Sequence, residues 1–598
     1  MTVYAAPIKD MHFVLSHIAN MQSVQELQAY QEASQDIVNA VVEEAARLAE
    51  TQIAPLNSGA DAAGAQLVDG SVKPSPGFTD AYNSYVEGGW ASLSYAPEYG
   101  GQGLPDLLAA PVEEMWHTAS LAFALCPMLT ASAVLALSKH GNDSLKEQYL
   151  EKMVTGEWAG TMHLTEPQAG TDLASIKTRA VPETAADGSQ QYRMYGQKIF
   201  ITWGDHDMTD NVVHMVLARV DGAPEGIHGL SLFLVPKFLL DDNGKPGTRN
   251  DVHPLSLEHK LGIHGSPTCV MSFGDNDGAV AYLVGEENQG IRCMFTMMNK
   301  ARLEVGLQGL AISERAYQQG RAYAMDRVQG SNAQGEKLRI VEFADVRRML
   351  LLMKSQTEAM RAMVYLTAAE IDKANHGEDP QARAEAQARV DLLIPVVKGW
   401  CTETSQEVTS LNVQVHGGMG FIEETGAAQH YRDARILTIY EGTTGIQAGD
   451  FVKRKLLRDN GSAMTSLLQD IASTEAELTE SGDALAAVRT ALAEGRETLQ
   501  ASVDHLIQQA GSDADHHGAA SFNMLMQAGV VVGGWLMAKA AVAAQRDLAG
   551  ADADRDFLEA KIKTAQFYAA HVLPRAESYK RIALAPSDVV MAIQEEQL

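Results

Sequence analysis

The run Ile439-Tyr440-Glu441-Gly442-Thr443-Thr444-Gly445 places one carboxylate at the end of an apolar stretch and just ahead of a helix start. Desolvation there would raise the carboxyl pKa and make Glu441 a candidate general base. Gly442 lets the main chain pass close to a ligand, and Thr443 or Thr444 can cap a helix running through 446–457. The same glutamate would equally serve as a first-turn acid on a helix dipole. Upstream, Thr165-Glu166-Pro167-Gln168-Ala169-Gly170-Thr171-Asp172 joins a β-prone run to a polar turn. The Thr165 and Thr171 hydroxyls and the N–H groups of Ala169 to Thr171 could hold the polar edge of a flat heterocycle or a phosphate. A plain capped turn accounts for the same residues. In Gly196-Gln197-Lys198-Ile199-Phe200-Ile201-Thr202-Trp203-Gly204, alternation puts Phe200 and Thr202 on one face of a strand. That face suits a stacked, hydrogen-bonded ring, or simply a half-buried strand. Arg302, early in a long helix with otherwise apolar faces, could hold a carboxylate or a phosphate-bearing tail, or pair with Glu304 or another acid.

Such residues act only if larger elements position them. At roughly 150 residues per domain, 598 residues predict about four structural units. A hydrophobic content of 46% and a charged content of 21% are those of a soluble globular protein. Residues 1–160 read mostly as helix. From Trp158 to about Phe273, short β-prone runs alternate with turns, and 241–254 reads as a polar surface loop. Helix returns over 290–374 and 382–414, a Gly-rich HGGMG turn follows at 416–420, and 461–598 is Ala-rich and helical. The predicted layout is an N-terminal extension (1–34), an α-helical domain (35–160), a β-domain (161–279), a helical bundle carrying the base (280–457) and a helical C-terminal domain (458–598). A β-domain inserted between helical domains suggests a cleft where a cofactor could sit.

Much is excluded. No G-x-G-x-x-G follows a strand, and no P-loop, H-E-x-x-H or G-x-S-x-G occurs. Four Cys with no C-x-x-C pair argue against a disulfide scaffold or a zinc ribbon, so no metal site is expected. With no basic region followed by an apolar run at the N-terminus, a cytoplasmic protein is expected. A net charge of −29 disfavours nucleic acid and anionic membranes. The apolar run 528–544 is interrupted by Lys539 and falls short of the ~20 residues of a membrane span. It reads instead as a buried helix at a close helix–helix contact.

In this order and at these separations, TEPQAGTD, GQKIFITWG, the Arg302 helix, VHGGMGF and RDARILTIYEGTT resemble the acyl-CoA dehydrogenase family, over about residues 35–457. The resemblance implies a mainly α fold with an inserted β-barrel-like domain, and FAD as cofactor. It implies that Glu441 removes the α-proton of an acyl-CoA thioester while flavin N5 accepts the β-hydrogen as hydride, leaving a trans-2-enoyl-CoA. The Glu441 backbone N–H and the flavin ribityl 2′-hydroxyl would bind the thioester carbonyl, as in an oxyanion hole. Thr165, Gly170, Thr171, Thr202 and Thr443 fall at flavin-contacting positions, and Phe200 at one that packs on the flavin ring. Arg327, Gln414 and Gly418 match positions that bind the ADP half of FAD across a subunit interface, which implies a homodimer or a dimer of dimers. Asn299, Arg302 and Tyr440 match substrate-side positions. An electron-transfer flavoprotein is the implied acceptor, with O₂ as the acceptor in an oxidase alternative.

Three features qualify the likeness. Ala301 stands where some members carry the base, which leaves the role to Glu441. Arg327 is followed by VQGSNAQ rather than an aromatic turn, and Gly445 replaces a common Gln. The N-terminal segment and the long helical tail resemble the long members, and within them the likeness leans toward 3-(methylthio)propanoyl-CoA as substrate, with medium- or long-chain fatty acyl-CoA as the alternative. Cys126, Pro127, Met128 and Leu129 could line an acyl pocket or be plain core. A DNA-associated flavoprotein of the same fold is a further alternative. The tail argues against it, with 10 Lys+Arg against 19 Asp+Glu over residues 461–598, a net of −9.

Overall fold

The computed structural model describes residues 3–185, 188–511, 513 and 515–598. They form two compact units: one of residues 47–104 and 119–301, the other of residues 1–46, 105–118 and 302–598.

The core of the first unit is an eight-stranded sheet. Its strands run Val252–Leu257, Thr268–Phe273, Gln190–Thr202, Ala279–Val284, Leu230–Pro236, Asn211–Val220 and Trp158–His163, and Arg179–Thr184 pairs with both Gln190–Thr202 and Asn211–Val220. That double pairing closes five strands into a ring, so the expected inserted barrel-like domain is present. Asn211–Val220 and Leu230–Pro236 are buried along almost their whole length. They therefore read as continuous apolar runs rather than alternating ones. The 13-residue strand Gln190–Thr202 is the hub, paired with three neighbours.

Two sequence expectations need correction. The stretch 241–254 is not a plain loop: Phe238–Leu240 and Pro246–Arg249 form a hairpin, and Val252 starts a sheet strand. Asp241 accepts hydrogen bonds from the Asn243 and Lys245 N–H groups, a local turn chemistry that polar composition conceals. The β-domain also extends past 279, because Ala279–Val284 pairs with two strands of the ring. Helix Leu121–His140 belongs to the same unit; it is capped by Ser120, and Cys126, Pro127, Met128 and Leu129 are buried within it.

The second unit is helical. Its long members are Gly290–Asp326 (from Arg302 onward), Ala344–His376 and Pro380–His416, followed by the C-terminal helices Ser462–Glu480, Ala486–Gln509, His516–Asp547, Arg555–His571 and Arg575–Ala583. The apolar run 528–544 lies in helix His516–Asp547, where a Cβ on Gly529 would come within 2.1 Å of Trp400 Cγ. Only glycine permits that approach, so the expected close contact is real. Leu121–His140 and His516–Asp547 are long and apolar enough to cross a membrane, yet 83% and 89% of their most apolar windows are buried inside the fold. They are core helices here.

Candidate active site

Within the β-domain the two Thr-bearing motifs are joined. The Ile199 N–H donates to the Thr165 carbonyl at 2.9 Å. Lys198 Nζ donates to the Leu164 carbonyl (2.9 Å) and pairs with Glu166 Oε1 (2.8 Å), both side chains being buried. The Glu166 carboxylate also accepts from the Lys177 and Thr178 N–H groups, the Thr178 hydroxyl and Gln168 Nε2. Burial alone would raise Glu166, but Lys198 and these donors hold it down to about 2. Burial in turn lowers Lys198 to about 8. Neither residue stood out as functional in the sequence; the available signal was a lysine at the head of the apolar run Ile199 to Ile201.

This weld shapes what the motifs present. A bulge in the pairing of Gln190–Thr202 with Thr268–Phe273 turns Lys198 inward, although strict alternation would set it beside Phe200 and Thr202. Ile201 is buried while Phe200, 57% exposed, and Thr202 face the other way, as alternation over these three residues requires. Phe200 has a φ of 60°. A large apolar side chain held exposed on strained backbone is an unusual arrangement. Among the described residues, the hydroxyls of Thr165, Thr171 and Thr202 make no hydrogen bond within the protein. Gly170 faces open space. One expectation is corrected: the Ala169 N–H is not available to a ligand, because it closes the turn on the Glu166 carbonyl at 3.0 Å. Asp172 caps the next turn. Free hydroxyls beside an exposed ring fit the polar edge and flat face of a flavin.

The helical unit holds Glu441. The residue is half-buried on left-handed backbone (φ 56°) and is followed by Gly442 at φ 94°. Gln447 Nε2 donates to the Glu441 and Gly442 carbonyls at 3.2 and 3.5 Å. Thr443 caps helix Thr444–Asp450 by accepting from the Ile446 N–H, and the Thr444 hydroxyl donates to Glu403. The Tyr440 hydroxyl donates to Gln308, so its proton is not available to a ligand. Arg302 Nη1 lies 3.7 Å from Asp450, not Glu304, while its Nε is buried without a partner. Lys398 Nζ donates to the Leu437 carbonyl at 2.9 Å. Burial raises Glu441 to about 7, against the pull of Arg302 and Lys398. Among the described residues its carboxylate has no hydrogen bond or ion pair, and its backbone N–H has no acceptor. A desolvated carboxylate with a raised pKa and no partner is suited to general-base work near neutral pH.

Asn299 is exposed on the Arg302 helix. Arg327, Gln414 and Gly418 are exposed together at one end of the bundle, where Tyr323 stacks on His416 at 4.3 Å. Arg327 leads into the hairpin Val328–Ser331/Lys337–Arg339. No group of metal-ligating side chains occurs among the described residues.

Four family profiles match consecutive stretches of the chain. They are described as the acyl-CoA dehydrogenase N-terminal domain (36–157), middle domain (161–276) and C-terminal domain (288–456), and as acetyl-CoA dehydrogenase C-terminal like (467–594). A 3-methylmercaptopropionyl-CoA dehydrogenase of Ruegeria pomeroyi is 48% identical over 95% of this chain and 96% of its own. A butyryl-CoA dehydrogenase of Syntrophomonas wolfei is 33% identical over 96% and 95%. A solved acyl-CoA dehydrogenase of Bacillus anthracis, complexed with FAD, shares the fold with a TM-score of 0.74 at 21% identity, covering 95% of this chain and 90% of its own.

Proposed function

The chain belongs to the acyl-CoA dehydrogenase family, and from that premise we propose that it removes one hydrogen from each of the α and β carbons of an acyl-CoA thioester, with 3-(methylthio)propanoyl-CoA as substrate and 3-(methylthio)acryloyl-CoA as product. The observation that carries the reaction class is Glu441, with its raised pKa and unengaged carboxylate. The support for the thioether acyl chain is the 48% identity to the Ruegeria enzyme.

In this reading Glu441, ionised, takes the α-proton. Its backbone N–H, free of protein acceptors and fixed by the Gln447 clamp, donates to the thioester carbonyl and stabilises the enolate-like charge that makes the α-carbon acidic. Arg302 and Lys398 favour the ionised base, and Asn299, Arg302 and the Tyr440 ring lie on the substrate side. The residues that would hold FAD are Thr165, Gly170, Thr171, Phe200, Thr202 and Thr443, with Arg327, Gln414 and Gly418 for its ADP half. When bound, the flavin supplies the hydride acceptor for the β-carbon. An electron-transfer flavoprotein is the proposed acceptor, the cytoplasm the proposed compartment, and a homodimer or dimer of dimers the proposed assembly. Apolar residues exposed around the HGGMG turn, among them Met419, Phe421 and Ile422, support an assembly there.

A substrate panel on purified protein tests the proposal. Adding 3-(methylthio)propanoyl-CoA should bleach the flavin and reduce a dye acceptor. A kcat/KM far higher on butyryl-, octanoyl- or palmitoyl-CoA would move the assignment to a fatty acyl-CoA. Peroxide formed without an added acceptor would make the enzyme an oxidase. Glu441→Gln should keep the flavin and the fold while losing activity by several orders of magnitude, the size expected for an essential base.

A further inference from the structure

Helix Pro380–His416 presents a lysine where a lysine is expensive. Lys398 is fully buried, and its neighbours Gly399 and Trp400 pack against helix His516–Asp547. Its ammonium has one hydrogen bond, to the Leu437 carbonyl at 2.9 Å, and among the described residues no carboxylate lies within 4 Å. A buried ammonium without an ion pair is strongly disfavoured unless nearby negative charge compensates. The acids whose fields reach it are Glu441, four residues beyond Leu437, and Glu403, a turn and a half along the same helix. The other groups facing the base have partners of their own. Arg302 is offset by Asp450, which Arg454 also approaches; the Tyr440 hydroxyl is on Gln308; and Glu403 accepts from Thr444. Lys398 is thus the cation near Glu441 whose charge no ion pair cancels.

We propose that Lys398 is a positioning residue for the base: its hydrogen bond to the Leu437 carbonyl fixes the turn that leads into Glu441, and its unpaired ammonium favours the ionised carboxylate. The field runs both ways. Burial lowers Lys398 to about 8 while Glu441 raises it, and Lys398 opposes the rise of Glu441. The arrangement also gives the C-terminal domain a route to the site, since the helix carrying Lys398 is the one that His516–Asp547 braces at Trp400.

The inference rests on Glu441 being the base of the proposed reaction. Two holoenzyme variants test it: Lys398→Gln, which loses the charge but keeps a donor, and Lys398→Met, which loses both. The acid limb of kcat/KM against pH should move upward by about one unit in both, because the carboxylate loses a stabilising charge. Plateau kcat should fall about tenfold further in the Met variant than in the Gln variant, since one lost donor is worth about 1–1.5 kcal/mol. In holoenzyme without substrate, the infrared band of the protonated carboxyl that disappears in Glu441→Gln should show the same upward titration shift without turnover. A limb and a band both unmoved in folded variants would overturn the proposal. So would a chain that folds with neither substitution, because the charge would then serve packing alone. A wild-type enzyme inert to every acyl-CoA would instead overturn the proposed function, and the infrared titration would still decide whether Lys398 and Glu441 are coupled.

Discussion

Gln447 acts on the proposed base through its backbone rather than through charge, because its side-chain amide donates to the Glu441 and Gly442 carbonyls. A non-glycine residue in left-handed conformation costs roughly 1–2 kcal/mol, and Glu441 stays there because its carbonyl and that of Gly442 share one amide donor. Gln447→Leu should leave both carbonyls unpaired, lower stability by about 1–3 kcal/mol and lower kcat about ten- to a hundredfold with KM little changed. Steady-state kinetics beside thermal melts would show it, and an unchanged kcat would remove Gln447 from the site. The Glu441 side chain carries its own pH signature. Its pKa rises on folding from 4.5 to about 7, so the folded protein binds more protons than the unfolded chain between those values. The associated stability is complete below pH 4.5 and is lost as pH rises through 7. Glu441→Gln should therefore be more stable than wild type at pH 8, by on the order of 1–2 kcal/mol after allowing for its partial exposure, and equally stable at pH 4.5, as denaturant titrations at the two pH values would show. A residue that destabilises the fold where it works is a mark of a functional site.

Between strand and turn, the organising interaction is the buried Lys198–Glu166 pair. Breaking one side of such a pair leaves an uncompensated charge and costs about 3–5 kcal/mol, whereas removing both can be nearly neutral. Lys198→Met should destabilise the protein by about that amount and weaken flavin retention, because the turn carrying Thr165 and Thr171 loses its anchor. Lys198→Met combined with Glu166→Gln should recover most of the loss. Denaturant titrations of the three variants give the coupling, and simple additivity would show that the pair does not hold the motifs together. At this scale the sequence showed both motifs and hid their connection. Phe200 and Thr202 were legible by alternation, but the bulge that turns Lys198 inward changes the register after the period-2 pattern has been read. Likewise, Asn243 and Lys245 give no hint that a polar stretch is a hairpin, since its hydrogen bonds run within the turn.

Across the helical unit, distant parts of the chain meet in one buried ionic network. Arg361 donates to Glu114, Glu314 and Asp10, Tyr365 donates to Glu114, and Lys561 bridges Asp10 and Glu358, which also pairs with Lys354. Asp10 comes from the N-terminal segment and Lys561 from the C-terminal helices, so both additions to the three-domain core are tied to the bundle by charge. Burial would raise Asp10, but Lys561, Arg361 and Lys354 hold it well below the carboxylate range. Its contribution to stability is present above pH 3.8, its unfolded value, and is lost as pH falls below it. Lys561→Met lets the Asp10 pKa rise, so the acid-unfolding midpoint should move upward by roughly half a unit or more, followed by far-ultraviolet circular dichroism. An unmoved midpoint would show that Lys561 contributes nothing to this lock. The sequence by itself determined the order of helical and β domains, the four motifs and Glu441 as the base candidate, because residue type, period and spacing are local properties of the chain. Only the tertiary structure decided that Ala169 spends its N–H inside its own turn, that Arg302 meets Asp450, that the Tyr440 hydroxyl donates to Gln308, that Gln447 holds the Glu441 carbonyl, and that Lys398 holds the Leu437 carbonyl. Desolvation, hydrogen-bond partners and uncancelled charge depend on what folding brings near, and no spacing along the chain records that.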